Sequence, residues 1–565
     1  MYAELKQAWQ ELTSPGQLFE VTTAEVGGVP IRTYAHAPPS LREIWLGAAG
    51  HGDKEYLVYN DERLSYAEAQ AITGSIAHWL SEAGVSQGDR VAIAMRNYPE
   101  WMLAYWAVTA MGAVVVGMNA WWVPQEMHYG LEDSAPKVLI ADQERLQRFA
   151  ELRGDFPDLT VVGVRVPHDL PDWATDWAEL VNSESKMPEV TVAPDDDACI
   201  FYTSGTTGRP KGAQLTHRGC VNNIFNVAFA NAVQPRALAL ARGDEPGEPG
   251  GTEIRALVAT PLFHVTANNC VAQVVTLVGG RLVHMYKWDP AEALRLIERE
   301  KLTTFNAVPM MAREIMMHPD FKTRDTSSLK TVGGGGAAMQ PDLVGKVSET
   351  MKTARPNTGY GMTETCGIIT AVSMEFFMDR PTSVGPAMPT FEARIVDPAG
   401  KELPLGDIGE LVVRGAPVIK GYLNRPEATA ETIVDGWLHT GDVAYMDEDG
   451  FIYLVDRAKD MVLRGGENVY CAEVENALFH HDAVAECVVF AVPDDRLGEE
   501  VGAAVHLKPG ASVDAEALRT HCREHIAAFK VPRYLWFLDD PLPRNANGKF
   551  LKRELRDTLK VEDAA

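Results

Sequence analysis

The sequence predicts an α/β fold: a large N-terminal domain of layered parallel sheets with helices and a small β-rich subdomain, then a small, mobile α+β C-terminal domain. Three observations predict it. Strand-like and helix-like segments alternate over 90–142 and again beyond 198. The texture changes to short alternating strands with Gly, Asp and Asn turns at about 385–455, and after 459 a compact mixture of two helices and several strands closes the chain. A chain of 565 residues is too long for one core, so at least two domains are expected, at 1–458 and 459–565.

The elements follow in order. Residues 90–95 read as a strand, 98–111 as a helix, 113–118 and 137–142 as further strands, which is the spacing of a parallel sheet covered on both faces. Within this stretch, Trp101 to Val123 carries no charged residue and has the length of a membrane span. Its punctuation decides otherwise. Asn97 and Pro99 mark a helix start, Gly112 marks a stop, and Ala113-Val114-Val115-Val116 is β-branched, so a helix of about four turns and a buried strand account for the same residues. Further strands are expected at 256–260, 281–286, 303–308 and 331–333, and in the β-rich region at 392–396, 409–414 and 451–454. Asp447-Glu448-Asp449-Gly450 has neither the ligand spacing nor the distal Glu of a calcium loop and reads as a hairpin turn. In the last domain, helices are expected at 472–480 and 514–526, with strands at 486–492 and 503–507.

Composition narrows the partners. The 52 Lys and Arg against 78 Asp and Glu give a net charge of −26, which argues against nucleic acid bound by a broad basic surface and against attraction to anionic lipid. The seven cysteines, at 199, 220, 270, 366, 471, 487 and 522, form no C-x-x-C pair and read as reduced structural thiols of a cytoplasmic protein. No apolar core of a signal peptide is visible in Met1 to Gln10. The stretch 242–251 is acidic and rich in glycine and proline, and reads as a mobile loop.

The chemistry concentrates in Tyr202-Thr203-Ser204-Gly205-Thr206-Thr207-Gly208-Arg209-Pro210-Lys211-Gly212. Backbone N–H groups at Gly205 and Gly208 can turn toward phosphate oxygens, the hydroxyls donate more bonds, and Lys211 supplies charge. The spacing is not that of a Walker A loop. Residues 198–202 before it read as a buried strand, and Thr216 after it as a helix cap.

This string resembles the signature loop of the adenylate-forming superfamily of acyl-CoA synthetases, adenylation domains and beetle luciferases. Four more motifs follow in that superfamily's order: Asn357-Thr358-Gly359-Tyr360-Gly361-Met362-Thr363-Glu364, Trp437-Leu438-His439-Thr440-Gly441-Asp442, Asp456-Arg457-Ala458-Lys459-Asp460 and Pro543-Arg544-Asn545-Ala546-Asn547-Gly548-Lys549. The resemblance implies an ATP- and magnesium-dependent acid:CoA ligase working through an acyl-adenylate. By it, Thr203, Ser204, Gly205, Thr206, Thr207 and Lys211 hold the phosphates, with Thr363 adding a hydroxyl. Gly335, Gly336, Ala337, Gly359, Tyr360, Gly361 and Met362 would form the adenine slot. Glu364 would bind magnesium, and Asp442 the ribose hydroxyls, with Arg457 on ribose or phosphate. Lys549 is the implied catalytic lysine, Lys459 the hinge, and Gly465 and Gly466 the walls of the pantetheine tunnel. His264 in Pro261-Leu262-Phe263-His264 matches a position beside the acyl carboxylate, while His439, His480 and His481 receive no role.

The acid is less sharply written. Phe229, Asn268, Cys270, Gly335 and Met362 are the candidates for its pocket, and their small and apolar character favours a medium- or long-chain fatty acid. Alternatives are an aryl or arylalkanoic acid, loading of a carrier protein, a luciferase-type oxygenase, or a nucleotide-binding relative without catalysis. The expected partners are the acid, ATP and coenzyme A, with no nucleic acid and no transmembrane segment, a homodimer being left open.

Overall fold

The computed structural model describes residues 1–565 other than Ser183, 204–208, 245–252, Ala338, Gln340, Ala458, Gly466 and 546–548, and the side chain of Asp342. Ser204, Gly205, Thr206, Thr207, Gly466 and most of the acidic loop therefore lie outside the described residues. The chain forms two compact units, Met1–Glu392 with Val413–Leu438, and Ala393–Val412 with His439–Ala565. Much of the β-rich region thus clusters with the C-terminal residues, whereas the sequence reading drew its boundary at 459.

The first unit is built on two eight-stranded sheets. In one, Asp197–Thr203, Val114–Gly117, Arg90–Ala94, Val138–Asp142, Thr160–Val164 and Ala174–Asp176 lie side by side and parallel. The uncharged stretch behaves as its punctuation implies: Pro99 opens the helix Pro99–Ala110, whose residues are all buried, Gly112 turns the chain at φ +79°, and Val114–Gly117 is a fully buried strand. Asn97 does not cap that helix. Its amide donates to the Thr260 carbonyl at 2.9 Å and its oxygen accepts from the Leu262 N–H at 3.0 Å, tying this layer to the next. Among the described residues no helix is long and apolar enough to cross a membrane.

The second sheet runs parallel through Arg355–Met362, Thr331–Gly334, Thr304–Asn306, Arg255–Val258, Arg281–His284 and Glu55–Tyr59. Antiparallel hairpins flank the parallel strands: Asp197–Thr203 with Lys211–Thr216 in the first sheet, and Arg355–Met362 with Gly367–Ser373 at one edge and Glu55–Tyr59 with Glu62–Ser65 at the other edge of the second. The hairpin is possible because only a few residues connect the strands, too few for the crossover a parallel pair demands.

In the second unit, Asp442–Met446 pairs with the strand Phe451–Arg457 across the expected turn, where Asp447 Oδ1 accepts from the N–H groups of Asp449 and Phe451 and Gly450 adopts φ +82°. A five-stranded sheet of Glu467–Val469, Val462–Arg464, Gly498–Leu507, Val484–Asp494 and Tyr534–Phe537 carries the helices Cys471–Phe479 and Ala515–His525.

Candidate active site

Two hairpins of the first unit bring the phosphate-loop lysine and the magnesium candidate to one place. Thr203 and Lys211 are paired across the first hairpin, and the Tyr129 hydroxyl donates to the Pro210 carbonyl at 2.8 Å. Beyond Lys211, the strand pairs with Gly421–Tyr422. The Lys211 ammonium lies 4.3 Å from the centre of the Tyr422 ring, and the Tyr422 hydroxyl donates to Glu364 Oε1 at 2.8 Å. Burial, and then the Glu364 carboxylate, push the Tyr422 phenol far above its ordinary value, so it stays a donor. Glu364 sits on the short turn Thr363–Thr365 of the second hairpin, 8 % exposed, and its backbone carbonyl accepts from the Ile419 N–H at 3.0 Å. Tyr422 is the residue that the sequence did not announce, since nothing in Gly421-Tyr422 links it to a turn about sixty residues away.

Glycine in the second sheet serves close packing. At Gly334, φ is +137° and a Cβ would come within 2.1 Å of the Ala307 carbonyl oxygen; at Gly361 it would lie 1.8 Å from that of Gly367. Larger residues there would push apart the strands that end at the site. Gly335, Gly336, Gly359 and Gly361 line one wall of a cavity of about 280 Å³. Ala337 is exposed beyond it, and Tyr360, Met362 and Thr363 follow on the strand and turn, half-buried.

The opposite wall is the helix His217–Arg242, capped as expected by the Thr216 hydroxyl accepting from the Gly219 N–H at 3.0 Å. It presents Val227, Ala230, Asn231 and Gln234 to the cavity, with Val271 and Ile368 beside them. Cys270 and Gly335 line it as the sequence reading expected. Phe229 does not: one helical step of about 100° from Ala230 turns its ring away, where it packs on Trp9 and Phe19 with ring centres 4.7 and 5.4 Å apart. Asn268 is also withdrawn, its oxygen facing Trp101 Nε1 at 3.4 Å and its amide donating to Asn269 at 2.9 Å. Met362 is not among the lining residues. Burial pushes the Cys270 thiol up to about 12, so it is an inert neutral wall.

His264 caps the short turn before Val265 and Thr266, which line the cavity, but does not itself line it. Burial lowers its pKa to about 4, and its Nε2 has no hydrogen-bond partner among the described residues. It is therefore neutral near pH 7 and can offer a hydrogen bond but not a positive charge.

The second unit holds the remaining candidates. Asp442, 6 % exposed, pairs in register with Arg457, whose Nε lies 3.1 Å from Asp442 Oδ1. The Lys549 ammonium is held below its ordinary value, first by lost hydration and then by Arg457, against the opposing pull of Asp460 and Asp442. Lys459 is exposed on the turn that follows Arg457. Gly465, at φ +61°, turns the hairpin between Val462–Arg464 and Glu467–Val469. Neighbouring Asp456 is raised to about 6 by burial, opposed by Lys552, and accepts the Cys471 N–H at the start of the helix Cys471–Phe479.

The AMP-binding enzyme family model matches residues 45–423, and the AMP-binding enzyme C-terminal domain model matches 473–549. The chain belongs to this family. Among relatives of this AMP-binding enzyme, a feruloyl-CoA synthase of an Amycolatopsis species is 37% identical over 495 residues, 87% of this chain and 93% of the relative. A long-chain-fatty-acid–CoA ligase of Bacillus subtilis (strain 168) is 31% identical, over 90% and 92% of the two chains. The crystal structure of the anthranilate CoA ligase AuaEII in complex with anthranoyl-AMP superposes with a TM-score of 0.82 at 26% identity, covering 92% of this chain and 97% of that one. This AMP-binding enzyme is an AMP-forming acid:CoA ligase of the adenylate-forming superfamily. ATP and coenzyme A are its co-substrates.

Proposed function

We infer that the acid is aromatic, an arylalkenoic or related aryl acid bearing a polar ring substituent, rather than a fatty acid. The observation that carries this is the mixed wall of the cavity. Its apolar residues, Val227, Ala230, Val271 and Ile368, suit the faces of a ring, but Asn231 and Gln234 interrupt them. Pro235, within the same helix and the same wall, cannot donate to the Asn231 carbonyl, which leaves an acceptor for a phenolic hydroxyl. Gln234 is satisfied within the protein by Ser373 and the Ala371 carbonyl, so the carbonyl that Pro235 leaves free is the group an alkyl chain could not satisfy, at a cost of about 1–3 kcal/mol once it is covered. The similarity to a feruloyl-CoA synthase, at 37% identity, supports the same reading.

The roles follow the chemistry. Residues 203–208 and Lys211 hold the triphosphate, and Thr363 adds a hydroxyl. Glu364 is a buried carboxylate whose side chain receives one hydroxyl donor and no ion pair among the described residues, a fit for magnesium, which would neutralise phosphate charge during transfer. Gly335, Gly336, Ala337 and Tyr360 contact adenine, and Asp442 with Arg457 holds the ribose. His264 donates toward the acyl carboxylate from its neutral ring. Lys549 stabilises charge at the carboxylate and α-phosphate as they join. CoA then reaches the adenylate past Gly465 and Gly466, with Lys459 as the hinge between the half-reactions.

The test is pyrophosphate release measured acid by acid, with ferulate, 4-coumarate, cinnamate, octanoate and palmitate. Hydroxylated aryl acids are expected to be turned over best, with cinnamate weaker by about tenfold for the lost hydrogen bond. A preference for octanoate or palmitate would overturn the reading.

A further inference from the structure

In the second unit, away from the residues assigned to ATP and CoA, the ends of two helices bring four histidines together. The helix Ala515–His525 carries His521, Glu524 and His525 on one face, three and four residues apart, and each offers a ligand atom within 4.8 Å of the others. The helix Cys471–Phe479 ends beside it at His480 and His481. The His480 and His525 rings stack at 5.6 Å and 9°, the His521 and His525 rings are 4.5 Å apart, and His481 meets His521 edge-on at 5.1 Å.

The hydrogen bonds set the tautomers. His525 Nδ1 lies 2.8 Å from the His521 carbonyl, His480 Nδ1 lies 2.8 Å from the Asn476 carbonyl, and His521 Nε2 lies 3.2 Å from the Ala477 carbonyl. A carbonyl can only accept, so each of these nitrogens carries the proton. The lone pairs therefore sit on His525 Nε2, His480 Nε2 and His521 Nδ1. Backbone carbonyls that fix imidazole tautomers in this way are the usual outer support of metal-binding histidines. His481 is oriented differently: its Nδ1 accepts from the Ala483 N–H at 3.2 Å, which puts its proton on Nε2.

Electrostatics point the same way. Both helices end here, and helix C-termini favour positive charge. Among the described residues this is the one group of three His, Cys, Asp or Glu side chains with ligand atoms so close together.

We propose that His521, Glu524 and His525 bind a divalent transition ion of the zinc type, with His480 as a fourth ligand from the neighbouring helix. Two or three imidazoles and a carboxylate match the donor preference of zinc. Zinc–nitrogen bonds of about 2.0–2.1 Å require ligand atoms roughly 3.3 Å apart in a tetrahedron, so closure asks for rotamer shifts of about an ångström or two in side chains that are mostly exposed. The ion joins the ends of the two helices and is separate from the magnesium proposed at Glu364.

The experiment is calorimetric titration of the full-length protein with zinc chloride at pH 7.5, repeated on His525→Ala and on Glu524→Gln. His525 and Glu524 are exposed at the end of a helix, so both variants are expected to fold and to keep wild-type acid:CoA ligase activity. The expected result is one zinc ion per chain with a micromolar Kd, weakened at least tenfold in His525→Ala and less in Glu524→Gln. Cobalt in place of zinc should give the visible absorption of a tetrahedral nitrogen-ligated ion, absent from His525→Ala. Zinc binding of equal affinity in wild type and His525→Ala, or no binding below millimolar zinc, would overturn the proposal.

Discussion

Replacing Tyr422 by Phe isolates the hydroxyl that supports Glu364. The ring stays beneath the Lys211 ammonium, now 4.3 Å from its centre, so the cation–π contact survives and only the 2.8 Å hydrogen bond is lost. Glu364 is 8 % exposed and would lose that donor. A hydrogen bond to a charged group is worth about 1.5–3 kcal/mol, so the variant should unfold at a temperature several degrees lower in the absence of nucleotide. The same loss of orientation should slow adenylation by about ten- to a hundredfold, at 1.4 kcal/mol per factor of ten. Magnesium with ATP should narrow the stability gap, because a cation at Glu364 replaces the missing partner. Differential scanning calorimetry with and without magnesium and ATP, beside a pyrophosphate-release assay, measures both. Unchanged unfolding and unchanged rate together would refute the coupling of Tyr422 to Glu364, and an equal stability gap with and without magnesium and ATP would refute the assignment of the cation to that carboxylate.

Further outcomes are expected. Lys549→Ala should slow adenylate formation by about 10²–10³-fold, on the scale of one lost preorganised charge, while synthetic acyl-adenylate plus CoA still yields thioester; a wild-type adenylation rate in a single-turnover assay would remove Lys549 from the step. Asp442→Ala should weaken ATP binding by about ten- to a hundredfold and leave the acid unaffected, as calorimetry can show. The buried neutral histidines make the protein acid-sensitive: His217 and His264 are lowered to about 4 and His284 to about 3, all first by burial. Their folded values lie below the unfolded 6.5, so the stability they contribute is present above 6.5 and is lost as pH falls toward 4, about 3 kcal/mol for each of the first two. Asp456, raised to about 6, works in the opposite direction over roughly 4 to 6, so among these four groups the loss on acidification is the balance of three histidines against one aspartate. Thermal unfolding followed from pH 7.5 to 4.5 should show a falling midpoint, and a flat profile would contradict these environments.

Local signals in the sequence located most of the first unit. Uninterrupted apolar runs such as 198–202 became the core of Asp197–Thr203, and Thr216 caps its helix through the hydroxyl that its residue type offers. The turn at Asp447 and the stop at Gly112 are equally local, the first held by a side-chain oxygen that accepts two nearby N–H groups and the second by a glycine at positive φ. What was not legible depends on tertiary approach. Tyr422 reaches Glu364 because two sheet edges meet, and no short-range pattern records that meeting. The cavity wall was misread by one helical step: Phe229 looks like a pocket residue by size, yet the helix turns Ala230, Asn231 and Gln234 inward and buries Phe229 against Trp9. The histidine cluster was half visible, since His521, Glu524 and His525 are spaced for one helix face, but His480 joins them only through helix packing.

The central claim is that this AMP-binding enzyme selects a polar aryl acid and delivers it to CoA. Internal competition tests it most directly: the full-length protein with ATP, magnesium and CoA is given equimolar ferulate and palmitate, and the two CoA thioesters are quantified by mass spectrometry at low conversion. The ratio of products is the ratio of kcat/KM values. The account predicts feruloyl-CoA in at least tenfold excess; palmitoyl-CoA in equal or greater amount would contradict it.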